Sequence, residues 1–73
     1  MEKATSVPAN LSAPSRIRQF LHQQASEVGL PDDVITDLLI AASEAANNAL
    51  QHTLTPTIEC RWRLTTGYLE VEM

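Results

Sequence analysis

Ile58-Glu59-Cys60-Arg61-Trp62-Arg63-Leu64-Thr65-Thr66-Gly67-Tyr68-Leu69-Glu70-Val71-Glu72-Met73 is the stretch on which the fold turns. Ile58, Cys60, Trp62 and Leu64 recur at every second position, with Glu59, Arg61 and Arg63 between them. This is the period of a strand with one buried face. Thr66-Gly67 suits a two-residue hairpin turn, because glycine accepts the positive φ that such turns demand. A turn there sets Leu64 opposite Leu69, Trp62 opposite Val71 and Cys60 opposite Met73, which keeps the apolar rank in register. It also sets Arg63 across from Glu70 and Arg61 across from Glu72, opposite-charge pairs worth on the order of a few tenths of a kcal/mol each.

Two strands alone make a marginal sheet, and the apolar rank needs a cover. The 3.6-residue period upstream supplies one. Ile35, Leu38, Leu39, Ala42, Ala45, Ala46, Ala49 and Leu50 fall within an arc of roughly 140° on a helical wheel, predicting an amphipathic helix over 32–52. Ahead of it, Ile17, Phe20, Leu21, Ala25 and Val28 predict a first helix over 14–28, with Ser12 as N-cap and Pro14 in the first turn. Gly29 suits the left-handed position that ends a helix, and Leu30-Pro31-Asp32 turns the chain into the next. Residues 1–13 show neither period, so a flexible segment is expected there, or at most a short edge strand over Ala4 to Val7.

The fold class expected is α+β: a two-layer α/β sandwich of two helices packed on a β-hairpin, spanning 14–73. The last strand is an open edge, and Met73 falls in mid-strand. The sequence therefore reads either as a piece of a longer domain or as one that pairs this edge with a second copy, forming a homo-oligomer.

Composition narrows the function classes. A domain of 73 residues buries only about 60% of its unfolded surface, so the core is thin. The formal charge of −4 has the wrong sign for neutralising a phosphate backbone, which argues against a nucleic-acid partner. No segment reaches the roughly 20 apolar residues of a membrane span, and no signal-peptide pattern opens the chain. One cysteine, Cys60, forms no internal bridge or metal cluster, consistent with the reducing cytoplasm. Its alternation with Trp62 and Leu64 makes both Cys60 and Trp62 core residues. Arg16 and Arg18 precede the apolar stripe of the first helix and are expected on a solvated face.

The polar side of the second helix carries the one chemically pointed feature. Asp37, Glu44, Asn48 and Gln51 lie within about 60° of one another, with His52 flanking them. Glu44 and Asn48 sit one turn apart, so a carboxylate and an amide oxygen reach the same ion, water or ligand. Spacing alone leaves this an ordinary solvated face. Against that stands a cost: asparagine is a poor helix former, and consecutive Asn47 and Asn48 weaken an alanine-rich helix.

The run Ser43-Glu44-Ala45-Ala46-Asn47-Asn48-Ala49-Leu50-Gln51-His52 resembles the Glu-Ala-x-x-Asn-Ala-x-x-His box of the anti-sigma-factor serine/threonine kinases. These belong to the gyrase, chaperone, histidine-kinase and mismatch-repair ATPase superfamily. The order of elements from about Arg16 to Met73 is also similar to that family's N-terminal half, implying a partial histidine-kinase-like ATPase fold. The resemblance implies Glu44 as catalytic base, Asn48 as ligand of the magnesium on ATP, and His52 as a nucleotide-binding residue. A helix-end histidine equally complements the negative helix terminus, so both readings of His52 stand. Mg-ATP is the implied cofactor, and a sigma factor and an antagonist protein are the implied partners. The family's Asp-x-Gly-x-Gly segment, which reads adenine, does not occur in these residues, whose two glycines are Gly29 and Gly67. The isolated chain is accordingly expected to be inactive. Two alternatives share the same residues: a non-catalytic dimerising interaction module, and an ATPase or histidine kinase of the same superfamily.

Overall fold

The computed structural model describes all residues, Met1–Met73, as five elements. They are β1 (Glu2–Pro8), α1 (Ala13–Glu27), α2 (Asp32–His52), β2 (Thr57–Thr65) and β3 (Tyr68–Glu72). Two helices pack on one antiparallel sheet of order β1-β2-β3. The expected α+β architecture is present, with one strand more than the hairpin.

That strand replaces the flexible segment and extends the short edge strand expected over Ala4 to Val7. The N-terminal residues form a seven-residue strand paired along β2, from Glu2 opposite Arg63 to Pro8 opposite Thr57. Its only buried residue is Val7. A strand so exposed has no apolar alternation to announce it; its stability comes from the backbone of β2, which occupies the centre of the sheet.

The hairpin forms in the expected register, with Leu64 opposite Leu69, Trp62 opposite Val71, Arg63 opposite Glu70 and Arg61 opposite Glu72. The ladder ends at Glu72, so the Cys60–Met73 pair lies outside it. Gly67 takes φ 101° at the turn and Gly29 takes φ 74° after α1, both in the region that a side chain disfavours. Neither the Arg61–Glu72 nor the Arg63–Glu70 ion pair forms. Arg61 turns along its own strand and bridges Glu59 at 2.7 Å instead.

Both helices keep their expected extents, α2 to the residue and α1 shifted by one. Ser12 holds the N-cap position of α1 without capping it; its hydroxyl bonds Asn10 Oδ1 at 2.6 Å. Ile17, Leu21 and Ala25 from α1 meet Ile58, Cys60 and Trp62 from β2 in a core that Ile35, Ala42 and Ala46 of α2 complete. Trp62 and Cys60 are fully buried, as the alternation requires. Ala45 is the exception in the apolar arc of α2, for it is exposed. The cause is a gap between α2 and β3, described next.

No helix is long and apolar enough to cross a membrane.

Candidate functional site

Glu44, Asn48 and His52 follow one another down α2, each on the side exposed to solvent. Side-chain hydrogen bonds on this helix engage Thr36, whose hydroxyl donates to the Asp32 carbonyl, and Ser43, whose hydroxyl donates to the Leu39 carbonyl. None engages Glu44, Asn48 or His52. The carboxylate and the amide one turn apart are thus uncommitted, as groups that meet a ligand must be.

Of the three, only His52 lines a cavity. On the wheel, Ala41, Ala45, Asn48 and His52 fall within about 60°, and this stripe faces the gap between α2 and the free side of β3. Leu38, Ala41, Ala42 and Ala45 of α2, with Val71 and Met73, line an apolar cavity of about 180 Å³. Further along, His52, Thr53, Thr55, Thr57 and Glu59, with Ala49, Ile58 and Met73, line a cavity of mixed character of about 330 Å³ at the end of the helix. Asn48 shares that stripe but lines neither cavity, and Glu44 lies further round the helix. Small side chains at 41, 42 and 45 keep the apolar cavity open, and this is why Ala45 is not covered.

The position of His52 fits either reading of it. It occupies the last turn of α2, where a cation complements the helix terminus, and it also lines the larger cavity. At the opposite end, Asp32 and Asp33 in the first turn meet the positive terminus. These two carboxylates help fix the start of the helix.

A chemically specific contact escaped the sequence reading. Arg18 is half-buried, and its Nη1 donates to Ser43 Oγ at 3.3 Å. Arg16 stays exposed, as expected, but Arg18 is tied to the residue immediately before Glu44. The link ties α1 to the helix that carries the site. Nothing local in the sequence marks it, because the two residues are 25 positions apart.

Cys60 is remote from this chemistry. It sits on the core rank of β2, and burial pushes its thiol up to about 11 from an ordinary 9.0. A thiol so placed is inert packing.

A metal held by protein carboxylates, imidazoles or thiols alone has no place on this surface, since no three such side chains cluster. The available donor set is one amide oxygen with a carboxylate nearby. That set suits a hard cation which takes its other ligands from phosphate oxygens and water, the usual habit of Mg²⁺.

A sequence model for the family described as histidine kinase-like ATPase domain matches residues 7–73. The match begins ahead of Arg16, at the end of β1, and includes only Val7 and Pro8 of that strand. No curated protein matches the chain.

Proposed function

The chain belongs to the histidine kinase-like ATPase domain family, and from that membership we propose that α2 presents the magnesium and general-base edge of an ATP site, in a protein serine/threonine kinase of the anti-sigma-factor type. One observation carries the reading. Glu44 and Asn48 stand one turn apart on one face of α2, both exposed and neither engaged in a side-chain hydrogen bond.

The roles follow from the donor chemistry. Asn48 Oδ1 is a neutral hard ligand and holds the cation without cancelling its charge. The Glu44 carboxylate orients a serine or threonine hydroxyl of the protein substrate and accepts its proton as the oxygen attacks. Asn48 would hold magnesium, which would supply positive charge to offset that of the phosphates. His52 contributes a ring nitrogen to the cavity at the end of α2, beside Thr53 and Thr55. The narrower assignment to the anti-sigma branch is supported by the Ala-x-x-His continuation, Ala49 to His52. With it come a sigma factor and an antagonist protein as partners, and a cytoplasmic setting.

Adenine recognition has no counterpart among these residues, so nucleotide binding by the chain alone is expected to be weak. The test therefore needs a method that reads weak binding at each residue. Titration of Mg-ATP into the millimolar range, followed by amide chemical shifts, is expected to move Glu44 to Thr53 and to lose that response in Asn48→Ala. Shifts centred elsewhere, or an unaltered response in the variant, would rule out the assignment. ATP turnover is expected to equal a protein-free blank; turnover that disappears in Glu44→Ala would show the chain competent by itself.

A further inference from the structure

One hydrogen bond between side chains joins α1 to α2, and it lands beside Glu44. Arg18 Nη1 donates to Ser43 Oγ at 3.3 Å across 25 positions, whereas every other hydrogen bond between side chains lies within four residues along the chain. Ser43 Oγ in turn donates to the Leu39 carbonyl at 2.8 Å, which spends its proton inside the helix and leaves its lone pairs to accept from Arg18. Both residues are half-buried, so the tie is partly shielded from water.

Such a tie controls the rotation of α2 about its own axis. Beneath Glu44 the helix is seated by Ala42 and Ala46, both buried. Methyl groups are short and interlock poorly, so this stripe resists rolling less than long side chains do. Glu44 projects on the far side, about 180° round the wheel from the middle of the alanine pair. There a roll of about 20° carries a carboxylate roughly 6 Å from the axis through about 2 Å. Misplacing a reacting group by about 1 Å already costs on the order of a hundredfold in rate.

We propose that Arg18 and Ser43 are positioning residues for Glu44, an assignment that rests on reading Glu44 as the general base. Neither touches the reacting groups. The guanidinium holds Ser43 toward α1, and consecutive helical residues stand about 100° apart, so fixing Ser43 fixes the direction in which Glu44 and, one turn on, Asn48 are presented. The serine ahead of the glutamate is thereby a functional position, and so is an arginine on the preceding helix that its own surroundings in the sequence mark only as solvated.

The experiment reads geometry on α2 with a trace of paramagnetic Mn²⁺ in Mg-ATP, following the broadening of the Glu44 side-chain protons at equal nucleotide occupancy. The parent chain and Arg18→Lys, which keeps a donor of similar reach, are expected to show strong broadening. In Arg18→Met and in Ser43→Ala it is expected to fall several-fold, with melting temperatures within a few degrees of the parent. Ser43→Ala keeps every charge and favours the helix, so its loss reports position rather than charge or folding. Broadening that persists in both variants would overturn the positioning role alone. So would a loss in Arg18→Met that Ser43→Ala does not share, which traces to the missing charge. A parent chain with no broadening anywhere on α2 would overturn the nucleotide reading, and this role with it.

Discussion

At the scale of single residues, Trp62 and Cys60 hold the core against opposite penalties. Trp62 is fully buried, yet its Nε1 donor has no acceptor, which costs on the order of 1–3 kcal/mol that its packing must outweigh. Two replacements should therefore separate sharply. Trp62→Ala is expected to lose about 3–5 kcal/mol and Trp62→Phe about 1–2 kcal/mol, because phenylalanine keeps much of the volume and removes the orphaned donor. Urea denaturation of both variants checks this; equal losses would mean that the indole nitrogen is satisfied in solution.

Cys60 adds a pH dependence whose sign is set by burial. Its folded value, about 11, lies above the ordinary 9.0, so the folded state holds the proton more tightly. Stability from this group is complete below pH 9 and falls as pH rises toward 11, by about 2–3 kcal/mol in all. Comparing alkaline unfolding of the parent chain with that of Cys60→Ala isolates the effect, since the variant should lack this part of the slope.

Among the elements, α2 is the one in which stability and the proposed function compete. Its first turn is acidic and its last carries His52, both favourable to the helix dipole, while Asn47 and Asn48 work against helix formation. Each asparagine replaced by alanine should raise stability by about 0.5 kcal/mol. If Asn48 serves the nucleotide, Asn48→Ala will be more stable and unresponsive to Mg-ATP, whereas Asn47→Ala will be more stable and still responsive. Thermal melts with the amide titration distinguish the two. At the end of α1, Gly29→Ala should cost about 1 kcal/mol through strain at positive φ alone, because nothing lies within 4 Å of the added carbon.

For the whole molecule, the decisive element is β1. It converts a marginal hairpin into a three-stranded sheet with β2 at its centre, and it brings Val7 and Ile58 together beside α1. Removing residues 1–8 would expose the backbone of β2 along its length and leave two strands beneath two helices. Such a chain is expected to lose cooperative thermal unfolding by circular dichroism; a sharp transition within a few degrees of the parent would show β1 to be dispensable.

Much of this architecture is written locally. The bounds of α2, the hairpin register and the burial of Trp62 and Cys60 were all legible, because each follows from a repeat of two or 3.6 residues that must place apolar groups on one side. The Glu44, Asn48 and His52 rank was legible for the same reason, as positions on one helix face. The family match then supports reading it as chemistry. What escaped the sequence depends on pairs remote along the chain: β1 against β2, Arg18 on Ser43, and the turn of Arg61 toward Glu59 in place of Glu72. The cavity beside Ala45 belongs with them. A helical wheel counts alanine as buried, and only the separation of α2 from β3 in three dimensions leaves that face open.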